Sequence, residues 1–540
     1  MRYFYYICSI IFSQLILFTS VSLQSDISAA EQPKKPEKGS ITINDKDLEA
    51  DLVVSGLDFP TSMAFIDTND FLILEKNTGF VKRVIDGVVQ PNPLLELNVD
   101  SKDERGLLGI AVDKKMNNNN NYFNVYLSYV QCEDEDTCQF KITKYELDNF
   151  QNLLVNPIDL LSLDSFPDPS HVGGILKIGP DGYIYVTVGD FHGTDNSKIF
   201  ETQAQNFEDG VQADGRGGIL RISPDGFSYD NGIFGTEYPL NLYYAYGIRN
   251  SFGIDFDPLT GYLWDTENGP EYGDEINLVY PGFNSGSAKI YGKSNEDFDY
   301  QYMSVEEFNY ENSASLGLLN GEGIYSDPKL SWDDTVAPTS LIFLDSNSLG
   351  PDYKYHMFVG NAKGTIYDFD LNNPREELLL DGPLQDKRID SEKEEIQNKF
   401  AEGFDIITDM EVNPYDGSLY IVSSKRGTEG SVYKIVSNND NNGKGIFTED
   451  FNGKKDFQGN RDRTEFFEPF QEPNKVFDEQ TGTQTNHNDN SNSLDSVFDL
   501  WDKTWNMNFG ITIKLFNCDN ETIIQIPNIN INTDDPIIFP

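Results

Sequence analysis

Positive charge is what this chain of 540 residues most conspicuously lacks: 40 Lys and Arg stand against 89 Asp and Glu, for a formal net charge of −49. A surface so charged repels nucleic acid and anionic membranes, so both are excluded as partners and cations are favoured. Most of these carboxylates form a solvated, mutually repelling surface, and only those in special turns can be singled out. Helical patterning is equally scarce, because no long segment shows apolar residues at three and four spacing with caps. Beyond the N-terminus no stretch is apolar enough to span a bilayer. Histidine is down to four residues, His171, His192, His356 and His487, so each can be weighed.

The N-terminus carries an address. Arg2 precedes an apolar run from Tyr3 to about Leu23, and Ser28, Ala29 and Ala30 follow with the small residues a signal peptidase reads. Residues 1–30 are therefore expected to be a signal peptide and the protein to be secreted or extracytoplasmic; an uncleaved membrane anchor is the alternative. Cysteine usage fits such a compartment, because Cys132 and Cys138 sit close together in VQCEDEDTCQF, where a small disulfide loop or two free thiols are both open. Cys8 lies in the signal and Cys518 has no evident partner.

Residues 31–50 read as a polar linker, and the folded region is expected over 51–436. The tail, 437–540, is acidic, Asn-rich and without periodic apolar content, which predicts a mostly disordered segment with a possible short docking element around 501–516. Between linker and tail, turns of Pro, Asp, Asn and Gly feed alternating aromatic and β-branched runs: IGPDGYIYVTVGD, ISPDGFSYD, FDPLTGYLWDTENG and VNPYDGSLYIVSS. Runs of that kind are half-buried strands. Their repetition over nearly the whole region predicts an all-β protein, a six-bladed β-propeller of four-stranded antiparallel blades with long insertions such as 285–327. An array of two-sheet sandwiches is the competing architecture.

Chemistry concentrates in two places. His171, in PSHVGGILKIGPDG, stands at a strand entrance with two glycines behind it, where backbone can approach a ligand. A neutral imidazole there suits proton abstraction, and a hydrogen-bonded structural role fits the spacing as well. Arg249 and Asn250, in AYGIRNSFG, lie between Gly247 and Gly253 just before a strand; the guanidinium suits a carboxylate or an ortho-dicarbonyl, or ties neighbouring blades. Downstream, Glu267, Asp274 and Glu275 cluster around Gly269 and Pro270, an oxygen-rich loop suited to a hard cation.

Taken in order, GLDFPTSMAF, DERGLLGIAVD, SHVGGILKIGPDGYIYVTVGD, AYGIRNSFGIDFDPLTGYLWDTENGPEYGDEINLV, APTSLIFL, MFVGNAKGTIYDF and DMEVNPYDGSLYIV resemble the soluble glucose/sorbosone dehydrogenase family across residues 51–436. The resemblance implies a six-bladed propeller using pyrroloquinoline quinone (PQQ) and Ca2+ to oxidise aldose sugars to lactones and pass the electrons to an external acceptor. It makes His171 the general base and Arg249 the group that polarises the quinone. Asn250 and Lys363 would hold the cofactor, the carbonyls of Gly269 and Pro270 would ligate its calcium, and Glu104 stands where a glutamine often faces the cofactor. Departures are visible too. Ile406 and Thr408 stand where the family carries an Arg-x-Arg pair, Ser170 replaces the usual Asn or Asp, and NSGSA replaces NYGWP. The resemblance thus implies a PQQ- and Ca2+-dependent sugar dehydrogenase. The alternatives are a non-catalytic calcium-binding propeller that binds glycans or a protein partner, and a hydrolase with paired carboxylates.

Overall fold

The computed structural model describes residues 41–438, apart from 118–119, 135–136, 166–169, 192–200, 227–231, 296–297, 313–314 and 426–428, together with the strands Ile511–Asn517 and Asn520–Ile526. The signal segment, His192, His487 and most of the tail lie outside the described residues.

The recurring turns join the first two strands of a sheet. In GPDG, Gly182 adopts φ 80°, its N–H donates to Gly179 O (2.9 Å), and the Asp181 carboxylate accepts from Tyr183 N (3.1 Å). Strand Gly173–Ile178 thereby turns into Ile184–Val188. Gly261 (φ 73°) and Gly417 (φ 74°) close the corresponding turns before Leu263–Glu267 and Leu419–Ser424. A side chain with a Cβ is disfavoured at such positive φ, which is why the motif ends in glycine each time.

Six sheets of four or more strands result, and each begins with a strand that packs against the first strand of the next. Those first strands are Pro60–Asp67, Leu107–Asn117, Gly173–Ile178, Ser251–Phe256, Pro338–Phe343 and Ile406–Val412, and the last packs back on the first. The architecture is therefore an all-β propeller around an axial channel. Apolar side chains fill the wedges between sheets, with Trp264, Trp332 and Tyr367 in one and Tyr126, Phe140 and Phe191 in another.

The uniform four-stranded pattern expected from sequence needs correction. Two sheets have four strands, three have five and one has seven, so five are regular small sheets and the remaining one is enlarged. The enlargement comes from the insertion: Phe283–Asn284 and Ile324–Tyr325 pair in parallel along the outer edge of Tyr243–Tyr246, covering an edge that would otherwise expose backbone. The linker boundary moves as well. Thr42–Ile43 pairs with Lys399–Glu402, and Leu48–Leu57 supplies the outer strand of the last sheet by pairing with Gly430–Ser437, so the fold starts near residue 41 rather than 51. Among the described residues no helix is long and apolar enough to cross a membrane. A second unit, residues 464–540, contains the hairpin Ile511–Asn517 and Asn520–Ile526.

Candidate active site

The start of each inner strand opens on one end of the channel, and two adjacent starts carry His171 and Arg249. His171 itself sits at φ 53°, followed by Gly173 and Gly174 at φ 68° and 102°. Gly189 explains how close the two segments come: a Cβ there would collide with the His171 carbonyl and crowd that of Arg249. Only glycine lets both main chains converge on that point.

Asp190, the next residue, joins them. Its carboxylate Oδ1 lies 2.7 Å from His171 Nδ1, and its N–H donates to Arg249 O at 2.9 Å. His171 is 13% exposed and Asp190 5%, so the bond is largely shielded from water. A carboxylate at Nδ1 fixes the tautomer that carries the proton there and leaves Nε2 as the basic atom. Nε2 makes no hydrogen bond among the described residues.

Arg249 is anchored through its main chain and one end of its side chain. Its N–H donates to Glu267 Oε1 (2.9 Å), and Nη1 donates to the carbonyls of Asn268 (2.8 Å) and Gly269 (2.9 Å). Nε and Nη2 have no partner among the described residues, so half of the planar fork is open. Asn250 Nδ2 reaches Glu104 Oε2 at 3.2 Å, and the same carboxylate oxygen accepts from Val172 N at 3.1 Å. Glu104 thus straps the backbone beside His171 to the residue beside Arg249. Lys363 Nζ donates to Thr335 O (2.7 Å), and the next two residues, Val336 and Ala337, donate their N–H groups to Asp274 Oδ2. The structure therefore brings His171, Arg249, Asn250, Glu104 and Lys363 to one end of the channel. His356, by contrast, pairs with Asp368 at 2.8 Å away from this group.

The proposed metal side chains are a different matter. Asp274 is a staple: Oδ1 accepts from Gly269 N (2.9 Å) and Oδ2 from Val336 N (2.6 Å) and Ala337 N (2.7 Å). Glu275 accepts from Gly292 N, Asn277 Nδ2 and Ser285 Oγ. Among the described residues the carboxylates of Glu267, Asp274 and Glu275 do not converge as a three-ligand cage. Burial pushes the Glu267 carboxyl up to about 7, opposed by the Arg249 N–H it accepts from. The buried carboxyls of Glu275 and Asp265 are pushed well up for the same reason, with Glu267 adding repulsion to each. Protein donors already engage two of these carboxylates: main-chain N–H groups at Asp274, and Gly292 N, Asn277 Nδ2 and Ser285 Oγ at Glu275. What remains for a hard cation is the carbonyl pair and Glu267 Oε2, which is buried without a hydrogen-bond partner among the described residues. Gly269 O keeps one lone pair beside its bond to Arg249, and Pro270 is an exposed residue next to it.

Sequence reasoning missed Asp190, although it closes the quoted VTVGD run. An acid directly after a strand and a glycine, on a hairpin from a candidate base, was the available signal. The cysteine pair is bonded: Cys132 and Cys138 face each other across Asn120–Asp134 and Thr137–Asp148 with Cα atoms 4.0 Å apart.

A propeller whose axial cleft gathers a carboxylate-oriented imidazole, a half-open guanidinium and two neutral or cationic donors defines a class of small-molecule-binding scaffold. Residues 57–434 match the Glucose / Sorbosone dehydrogenase family, and the chain belongs to that family of quinoprotein oxidoreductases. It is 27% identical over 334 residues to quinoprotein glucose dehydrogenase B of Acinetobacter calcoaceticus, covering 59% of this chain and 69% of that one. An aldose sugar dehydrogenase of Escherichia coli is 21% identical over 386 residues, 71% of this chain and 91% of the relative. The apo-form structure of the soluble aldose sugar dehydrogenase from Escherichia coli aligns with a TM-score of 0.55 at 20% identity, covering 72% of this chain and 99% of that one. The PQQ-bound form of the enzyme from Streptomyces coelicolor aligns with a TM-score of 0.50 at 20% identity, covering 74% and 99%. At those identities the likeness is one of fold.

Proposed function

We propose that the protein is an exported, PQQ- and calcium-dependent dehydrogenase that oxidises the anomeric carbon of an aldose to a lactone, on a propeller of six blades. The observation that carries the reading is Asp190, which contacts the His171 ring and the Arg249 main chain at once. His171 Nε2 accepts the proton of the anomeric hydroxyl while Asp190 stabilises the imidazolium that forms. Arg249 offers its open Nε and Nη2 to oxygens of a dicarbonyl, and Asn250 and Lys363 add donors beside it. When bound, the quinone supplies an acceptor for two electrons as hydride, with a divalent cation as Lewis acid.

The polar set fits such a cofactor: the open end of the Arg249 guanidinium and the Lys363 ammonium would hold its carboxylates, and Asn250 Oδ1, buried without a partner among the described residues, would accept from an N–H. For the cation, the Gly269 and Pro270 carbonyls are the fitting part. The closed ring of inner strands supports the blade count, and the Cys132–Cys138 bond with the N-terminal apolar run supports export.

A non-catalytic calcium-binding propeller is the second reading. It is favoured by Ile406 and Thr408 at the positions of the expected arginines and by the Glu104 carboxylate in the cleft. Titrating purified protein with PQQ in the presence of calcium separates them. A stoichiometric complex with sugar-dependent dye reduction supports the enzyme, whereas absence of any complex leaves the binding scaffold.

A further inference from the structure

Two lysines are buried among the described residues, Lys329 and Lys76. Lys329 is neutralised in the ordinary way by Glu377 at 2.7 Å. Lys76 is 7% exposed and, among the described residues, has no carboxylate within ion-pair distance. Its Nζ is held by two neutral oxygens, Ser101 O at 3.1 Å and Asn77 Oδ1 at 3.4 Å, and lies 5.4 Å from the centre of the Phe59 ring. A buried ammonium without a counter-charge is costly and ordinarily recruits one.

Its position says where that counter-charge would come from. Lys76 follows strand Asp70–Glu75, at the end where the inner strands begin. Its carbonyl accepts from Leu107 N, and its side chain fills the space a Cβ at Gly106 would need. It is therefore against the segment that carries Glu104, the strap of the candidate site. On its other side, Glu75 pairs with Pro60, whose carbonyl accepts from Thr408 Oγ1 at 2.8 Å. Lys76 thus stands one blade beyond Thr408, where an arginine of the expected pair is missing.

Resting on the dehydrogenase reading above, we propose that Lys76 is an anion-binding residue of the cleft and contacts an acidic group of the bound quinone, supplying from the first sheet a cation that the last sheet lacks. Burial lowers its pKa, while Asp103, Glu104 and Asp100 at longer range hold it up. An arriving carboxylate would complete its coordination. With Arg249 and Lys363 it makes a set of three cations for a tricarboxylate.

The test is equilibrium binding of PQQ, in the presence of calcium, to the full chain and to Lys76→Met and Lys76→Arg, read from the absorbance of the bound quinone. Lys76→Met is expected to weaken binding roughly 10- to 100-fold, the loss of one charge-assisted contact, and Lys76→Arg to stay within a few-fold of wild type. The apo thermal midpoint of Lys76→Met should equal or exceed that of wild type, because an uncompensated buried charge is gone, which separates a binding role from a structural one. Equal affinity of Lys76→Met and wild type overturns the assignment while leaving the enzyme reading intact. No binding by wild type overturns both.

Discussion

The two ends of the inner strands hold charge in opposite ways. At the end where the strands begin, His171, Arg249 and Lys76 each keep an atom or a charge that no other described residue satisfies. At the other end, the same strands carry Lys177, Asp255, Asp409 and Glu411. There Lys177 Nζ meets Glu411 Oε1 at 2.5 Å, Asp255 accepts from Phe343 N at 2.8 Å, and Asp409 accepts from Met63 N at 2.9 Å and Ser62 Oγ at 3.0 Å. Every one of those contacts runs from one sheet to another. Beside them is a cavity of about 220 Å³ lined by residues of four inner strands, including Phe65, Ala111, Lys177 and Glu411. The lesson is a division of labour along a single strand: completed charge ties the ring together, and incomplete charge is left where a ligand can finish it.

His171→Ala should break that division most sharply. Turnover is expected to fall by roughly 10²- to 10⁴-fold, the usual worth of a positioned base, with the fold retained but the thermal midpoint lowered because the shielded Asp190 loses its imidazole partner; full activity would remove the proposed base. Asp190→Asn comes next, with kcat down on the order of 100-fold and KM nearly constant, since only tautomer and imidazolium stability are touched. Steady-state kinetics on both variants, with PQQ and calcium supplied, checks the pair.

At the far end the signs reverse. Lys177→Met should cost about 3 kcal/mol of stability by stranding Glu411, measured by denaturant unfolding, while kcat holds. The smallest effect concerns pH. Burial pushes the Asp409 carboxyl up to about 7, reinforced by Glu411 and opposed by Lys177, and burial pushes Asp255 up to about 6. Both are raised above their unfolded values near 3.9, so the folded state binds more protons and their contribution declines as pH rises from about 4 through 7. Asp409→Asn should flatten that slope in thermal melts taken across this range; an unchanged slope would assign it to other groups.

How much of this could be read from the letters depends on sequence distance. His171, Arg249, Asn250 and the turns of the propeller were legible because glycine and proline punctuate them locally, and a backbone requirement leaves a mark within a few residues. Asp274 and Glu275 were harder to read for a related reason: a carboxylate beside a glycine loop looks the same whether it will bind an ion or cap N–H groups. Lys177 and Glu411, 234 positions apart, leave no local mark. Nor does Lys76, whose significance lies in a partner it lacks. The outer strand Leu48–Leu57 was placed mostly in the folded region, but its pairing with Gly430–Ser437 could not be seen, since nothing in either segment names the other.

That pairing has a consequence for biosynthesis. Asn438 reaches Lys46 across 392 positions, so the ring cannot close until almost the whole propeller has been made. The earliest strand must wait unpaired through nearly all of translation, and contacts so distant in sequence form slowly. A nascent chain of this protein should therefore stay receptive to chaperones until late. Clipping its first sixty residues would leave the final sheet with a raw edge that another molecule could occupy.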